Sequence, residues 1–294
     1  MTAAERGVLL LCCALPDTEE KPLSSAQFRE LSKRVRALGF AAADPLRDIG
    51  ERDLKRLGYD AAVSARIVRL LERENALDRY LIAAEKLGIY PVTRISGNYP
   101  KRLRQVLGER CPAVLFVKGD AALLNARCIC VVGSRELPAQ NRAFAAAAGR
   151  QIAAEGFCLC SGGAAGADTI AQQACVENGG RALIFPTGRL TDCKAEKGVV
   201  FVAERAYDEH FSAKQALARN TLLHAMGLKT LVAHCKDGAG GTWSGTTENL
   251  RRGYSPVFVL DDQTAGAQAL IARGATGIGM NFRISELETA QLHF

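Results

Sequence analysis

Three short stretches combine glycine, serine and backbone freedom in the way that anion binding requires. They are Gly133-Ser134-Arg135, Ser161-Gly162-Gly163-Ala164-Ala165-Gly166-Ala167-Asp168 and Gly238-Ala239-Gly240-Gly241-Thr242-Trp243-Ser244-Gly245. Each trails a short apolar run, namely Cys128–Val132, Phe157–Cys160 and Thr230–Ala233. A glycine at the end of a strand lets the backbone come close to a phosphate, and the open N–H groups and dipole of a following helix favour the anion. One such turn is as often a plain tight turn, whereas three on one sheet edge point to a shared ligand.

Arg135 beside the first turn, and Arg219-Asn220 within the helical stretch Lys214–Met226, offer forked donors to phosphate or base. The alternative for both arginines is an ordinary ion pair with Asp168 or Glu204. Trp243 either stacks on a base or anchors its turn to the core. The stretch from Gly162 to Gly166 lacks G-x-G-x-x-G spacing, and no GK[ST] triplet exists, which disfavours nicotinamide and ATP chemistry. No cofactor and no catalytic residue is therefore expected. Glu248 is the one candidate acid or base for a rival reading, a nucleotide sensor or phosphoribohydrolase-like enzyme; the favoured reading of this residue is a first-turn complement to the helix dipole.

His210, His224, His234 and His293 form no recognisable motif. Cys128 with Cys130, and Cys158 with Cys160, are spaced by one residue inside apolar runs, so each pair shares one strand face. That suits packed thiols better than zinc, whose ligands favour C-x₂-C spacing on loops. No metal site is expected.

The elements that must position these turns alternate short apolar runs with helical periodicity. The runs are Val114–Val117, Cys128–Val132, Phe157–Cys160, Ala182–Phe185, Val199–Val202, Thr230–Ala233 and Val257–Leu260. Between them lie helical stretches at Asn141–Glu155, Ala167–Glu177, Lys214–Met226, Thr246–Arg252 and Gly266–Arg273. This is the pattern of an α/β, extended Rossmann-like fold: a mostly parallel sheet with helices on both faces. Such sheets bind ligands at the carboxyl ends of their strands, where the three turns fall.

Before this region the chain reads as helices. Ser24 or Ser25 caps one through Leu38, with Gly39 as its stop, a second pattern spans Asp53 to Leu57, and a third runs from Ala61 to Leu87 with Gly88 as its stop. The stretch Tyr90 to Pro100, punctuated by Pro91, Gly97 and Pro100, reads as a linker. A small helical N-terminal domain, of the SAM or helical-bundle kind, is expected over residues 1–95, followed by the Rossmann-like domain over 96–294.

Composition places the chain among ordinary globular proteins, with 48% hydrophobic, 23% charged and 6% aromatic residues. The formal net charge of +7 is mildly attractive to polyanions. A basic stretch runs from Arg29 to Arg73, which is either a nucleic-acid surface or a solvated helix face. The run Val8 to Leu15 is much shorter than the roughly 20 apolar residues of a membrane helix. With ten cysteines and no convincing secretory signal, reduced thiols and a cytoplasmic location are expected.

The motifs resemble, in order, those of the DNA-processing protein A family (DprA, also called Smf). The resemblance rests on Tyr99-Pro100-Lys101-Arg102-Leu103, Leu115-Phe116-Val117-Lys118-Gly119, Val131-Val132-Gly133-Ser134-Arg135, the Ser161 to Asp168 turn, Ala218-Arg219-Asn220, and Gly240-Gly241-Thr242-Trp243 leading into Pro256-Val257-Phe258-Val259. It implies a single-stranded DNA-binding accessory protein without catalysis, a homodimer that helps load a RecA-type recombinase during DNA uptake. It also implies that Gly133, Ser134, Arg135, Ser161, Gly162, Gly163, Gly166, Arg219, Asn220, Gly240, Gly241, Thr242 and Trp243 line a phosphate-binding pocket. Ala165 and Thr221 stand where the family's pattern usually has basic residues, which removes two charges from phosphate binding. The chain ending at Phe294 implies the absence of the winged-helix domain that some members append.

Overall fold

The computed structural model describes residues 1–16, 18–37, 45–210 and 212–288. Gly39, the expected helix stop, and His293 lie outside the described residues. The chain divides into two compact units with interleaved connectivity. The first comprises Met1–Tyr99, Gly108–Lys118 and Ala203–Asp208, and the second Pro100–Leu107, Gly119–Val202 and Glu209–Phe294.

The first unit holds helices α1 (Ala3–Cys12), α2 (Ser25–Ala37), α3 (Pro45–Asp48), α4 (Glu51–Arg56), α5 (Ala61–Leu71) and α6 (Glu74–Lys86), with strands β1 (Ile89–Thr93) and β2 (Val114–Lys118). The apolar run near the N-terminus is buried inside α1, where Val8, Leu9, Leu10 and Leu11 are fully covered. Thr2 and Glu5 form a capping box at the start of that helix. At its other end the buried Arg73 donates to the carbonyls of Leu10 and Cys13, which an isolated helix leaves open.

Two expectations fail in this unit. The stretch Tyr90–Pro100 is not all linker, because β1 pairs antiparallel with β2 and places Pro91 opposite Phe116. Proline is tolerated in such a strand where its missing N–H is not needed for the ladder. The helical pattern from Ala61 to Leu87 is two helices, interrupted between α5 and α6. The basic stretch is largely neutralised within the unit, through pairs such as Arg34–Glu30, Arg47–Glu74, Lys55–Glu51, Arg56–Asp53 and Arg69–Glu20.

The second unit holds α7 (Lys101–Leu107), β3 (Cys128–Val132), α8 (Ala139–Ala154), β4 (Cys158–Ser161), α9 (Ala167–Glu177), β5 (Arg181–Ile184) and β6 (Val199–Glu204). It continues with α10 (Ala213–Met226), β7 (Gly227–Val232), α11 (Gly240–Arg252), β8 (Val257–Leu260), α12 (Ala265–Ile271) and β9 (Thr276–Ile278). The strands run in the order β6-β5-β4-β3-β7-β8-β9, and the pairs β3–β4, β3–β7, β4–β5, β5–β6, β7–β8 and β8–β9 are parallel. The reversal of strand order at β3 sits between β4 and β7, the kind of switch point where open α/β sheets bind ligands.

Alternation along the central strands sends side chains to both covered faces. Ile129, Val131 and Leu159 enter a core with Ala148 and Ile152 of α8 and Ala171 of α9. The thiol of Cys160 instead reaches the carbonyl of Leu223 on α10. Cys128 stands opposite Cys158, and Cys130 opposite Cys160, so the four thiols lie side by side as buried packing groups. Helices α8 and α9 cross so closely that a Cβ on Gly149 would lie 2.2 Å from the Ala171 carbonyl oxygen. This crossing fixes where α9 begins, and with it the second glycine-rich turn.

Candidate functional site

The three glycine-rich corners come together at the carboxyl edge of β3, β4 and β7, the first bonded to the second and the third tied to the second through α10. Ser134 donates through its N–H to the His234 carbonyl at 3.0 Å and through its hydroxyl to the same oxygen at 3.4 Å. The Ala167 N–H donates to the Ser134 carbonyl at 3.3 Å. Contacts this close exclude side chains. A Cβ on Gly133 would lie 2.5 Å from the Ala167 methyl, and Gly166, with φ of 89°, would place one 2.3 Å from the Arg135 carbonyl oxygen. Both glycines are thus required by close approach, and Gly166 by its backbone conformation as well.

The corners surround a cleft of about 690 Å³. Of the residues singled out in the sequence, Gly133, Ser134, Arg135, Arg219, Asn220, Gly240, Gly241 and Thr242 line it. Ser161, Gly162, Gly163 and Gly166, expected in the pocket, are not among its lining residues; of the second turn, Ala164 and Asp168 are what line it. Lys236, Glu136, Leu217 and His224 also line the cleft and were not singled out as ligand contacts. Leu217 is 54% exposed. Lys236 was missed because it precedes the glycine run; its position between β7 and α11 was the available signal.

The third corner differs from the expected loop. Helix α11 begins at Gly240, not Thr246, so Gly240, Gly241, Thr242 and Trp243 form its first turn. No side chain among the described residues caps this start. Its first N–H groups therefore have no partner within the helix and face the region where Gly240 to Thr242 line the cleft. The Asn220 amide donates to the Gly241 carbonyl at 3.0 Å, tying α10 to this turn.

Trp243 is absent from the cleft lining. Its ring carries the Arg273 guanidinium 4.8 Å from the centroid, a cation–π contact with an exposed side chain.

The second corner is internally satisfied. Asp168 Oδ2 accepts the N–H of Gly162 at 3.1 Å and of Ala164 at 3.3 Å. Burial raises the pKa of this carboxyl to about 6, against the opposing influence of Arg219 and of the Ala164 and Gly162 N–H groups. Arg219 spends Nη1 on the carbonyls of Gly162 (2.9 Å) and Phe185 (3.2 Å) and Nη2 on Asn220 Oδ1. Its Nε is buried without a partner among the described residues. Arg135 is exposed and forms no ion pair among the described residues, so neither partner suggested for it by the sequence engages it.

Glu248 does not fit the role of acid or base. Its carboxylate is held by Arg251 and Arg252 on the outer surface of α11, which lowers its pKa, and it does not line the cleft. A general acid or base needs reach to a bound substrate, and this group lacks it. His224, the buried histidine at the cleft wall, bonds through Nδ1 to Thr230 Oγ1 at 3.1 Å and to the Asn249 amide at 3.3 Å. Burial drives its pKa down to about 4, so it is neutral. No helix among the described residues is long and apolar enough to cross a membrane.

Over 98% of this chain and 99% of the other, the structure superposes on DNA processing protein A from Streptococcus pneumoniae with a TM-score of 0.74 at 20% identity. A second solved structure describes the single-stranded DNA binding mode of DNA processing protein A from Helicobacter pylori; it matches with a TM-score of 0.54 at 22% identity, over 65% of this chain and 90% of that one. The DNA processing protein DprA of Bacillus subtilis is 26% identical over 272 residues, covering 87% of this chain and 91% of that protein. The model of the DNA recombination-mediator protein A family matches residues 91–287, which include every cleft-lining residue named above. The chain therefore belongs to the DNA recombination-mediator protein A family, whose members are DNA-processing proteins.

Proposed function

We propose that the cleft holds the sugar-phosphate backbone of single-stranded DNA, and that the protein is a binding accessory that delivers this DNA to a RecA-type recombinase. The observation that carries the reading is the linkage of the three corners around one cleft. The Ala167–Ser134 hydrogen bond joins the second turn to the first, Ser134 also holds His234 just past the end of β7, and α10 bridges the second and third turns through Arg219–Gly162 and Asn220–Gly241. Exposed Arg135, cleft-lining Lys236 and the uncapped start of α11 supply positive charge and N–H donors around that cleft. These groups suit phosphate oxygens and carry little information about bases.

The reading needs no chemical step, in keeping with Glu248 being turned to Arg251 and Arg252 outside the cleft. The Helicobacter pylori relative, whose binding of single-stranded DNA is described with its structure, supports the choice of ligand. A homodimer in the cytoplasm, with residues 1–95 acting as a small helical domain, completes the proposal.

Fluorescence anisotropy with a labelled oligothymidylate and a duplex of equal length tests it. The single strand is expected to bind in preference, with log affinity falling linearly against log salt by about 0.7 for each phosphate neutralised. Equal binding of duplex and no dependence on salt would contradict it.

A further inference from the structure

We infer that Asp168 sets the charge of the cleft: its carboxylate takes the anion position of the second glycine turn and offsets the charge of Arg219, so that a DNA phosphate is received at the first and third corners and repelled at the second. The inference rests on the cleft holding single-stranded DNA, and it identifies a positioning residue within it.

Consecutive amides of a glycine-rich turn ahead of a helix form a nest that an external oxyanion would fill. In this protein the nest is already filled. Asp168 Oδ2 accepts both the Gly162 and the Ala164 N–H, and the side chain is held within the first turn of α9 with only 5% of the residue exposed. The same peptide is gripped from its other side, where Arg219 Nη1 donates to the Gly162 carbonyl. A Cβ on Gly162 would lie 2.2 Å from Arg219 Nη1 and 2.9 Å from Asp168 Oδ2, which shows how tightly the two groups close on this residue.

Three consequences follow for a ligand. The two best donors of the second turn are spent. Arg219 borders the cleft, but its Nη1 is spent on the Gly162 and Phe185 carbonyls and its Nη2 on Asn220 Oδ1, and its charge is opposed by Asp168. The charge left at the mouth is that of Arg135 and Lys236, opposed by Glu136.

The groups acting on Asp168 are Arg219 from α10, the Ser161 side chain and the Gly162 and Ala164 amides from its own turn. Arg135 from the first corner acts on Arg219 as a like charge. Glu136, Lys236 and His224 are the other titratable groups of the lining, and His224 is neutral above about pH 4. An arriving phosphate is a like charge for the Asp168 carboxylate, so it favours the protonated form. Proton uptake at Asp168 and DNA binding then promote each other. Since the free carboxyl titrates near 6, affinity climbs as pH falls through that value.

The test is oligothymidylate binding between about pH 5 and pH 8 at fixed salt, because thymine does not titrate there. It compares the wild type with Asp168→Asn and Asp168→Ser, two neutral side chains that keep an acceptor oxygen for the turn. The melting curve of each variant is recorded alongside. The wild type is expected to bind about fivefold more tightly at the acid end, the order expected for removing one like charge several ångströms from a phosphate. The variants are expected to bind as tightly at pH 8 as the wild type does at pH 5, with a flat profile. A flat wild-type profile overturns the inference, as does a folded variant that keeps the wild-type rise and gains nothing at pH 8. Absence of binding by all three proteins at every pH would overturn the DNA reading itself, and this inference with it.

Discussion

Asp168 and Arg219 hold opposite ends of one residue: the carboxylate of Asp168 accepts the Gly162 N–H at 3.1 Å while the guanidinium of Arg219 donates to the Gly162 carbonyl at 2.9 Å. The second turn is thereby built by an acid from α9 and a base from α10, and its glycine serves close approach of side chains more than close approach of a ligand.

Gly162→Ala is expected to break this arrangement. The added methyl would sit 2.2 Å from Arg219 Nη1, so the guanidinium must leave the Gly162 and Phe185 carbonyls and remain buried without them. A cost of about 2–4 kcal/mol follows from orphaning a buried charged donor. Thermal or denaturant unfolding would register it, and DNA binding would weaken as the corner loses its shape.

Gly166→Ala and Gly156→Ala form a matched pair. Both glycines have positive φ, 89° and 72°, but a Cβ at 166 would strike the Arg135 and Ser134 carbonyls whereas one at 156 meets nothing within 4 Å. Gly156→Ala should cost only about 1 kcal/mol of backbone strain and leave binding intact. Gly166→Ala should cost more and separate the first corner from the second, with a measurable loss of single-strand affinity.

Arg135→Ala and Lys236→Ala act on binding alone. Both side chains line the cleft, and neither has an ion pair among the described residues. Stability should stay within about 0.5 kcal/mol of the wild type. Each variant should lower affinity and reduce the salt slope by about 0.7, the contribution of one phosphate contact on a single strand. Glu248→Gln, a change outside the cleft, should leave both quantities unaltered.

The sequence made the site legible where glycine and strand coincide. Runs such as Cys128–Val132 and Val257–Leu260 are strands over the same residues in the structure, because continuous apolar side chains have no stable place except between two helical layers. What was illegible is what depends on partners far along the chain. Asp168 reads as an ion-pair partner, yet its carboxylate is committed to two backbone amides of its own turn. Trp243 left two readings open, and its place outside the cleft lining with Arg273 over its ring depends on chain folding that spacing does not show. The sequence pattern places the start of α11 six residues late because Gly240 and Gly241 are poor helix formers; in the structure a Cβ on Gly245 would lie 3.1 Å from Asn220, a close packing against α10 that spacing does not reveal. Strand β1 was hidden by Pro91, and β9, at Thr276–Ile278, is too short for any period to show.

Acid stability should expose two opposing titrations. His224 falls from 6.5 to about 4 on burial, so its contribution is complete above 6.5 and is lost as pH drops toward 4, about 3 kcal/mol in all. Asp168 rises from 3.8 to about 6, so its contribution has the opposite sign: it is gained as pH drops through 6, again about 3 kcal/mol. The two largely cancel in the wild type between about pH 6 and pH 4. Chemical denaturation across that range should therefore show His224→Gln gaining stability on acidification relative to the wild type, and Asp168→Asn losing it.

Amide hydrogen exchange with and without an oligothymidylate tests most directly whether the three corners receive the strand. Slowed exchange is expected at residues 133–135 and 236–244, with little change at Gly162 and Ala164, whose N–H groups are already bonded to Asp168. Protection confined to the basic α2–α5 region, or spread over the opposite edge of the sheet with these corners unchanged, would contradict it.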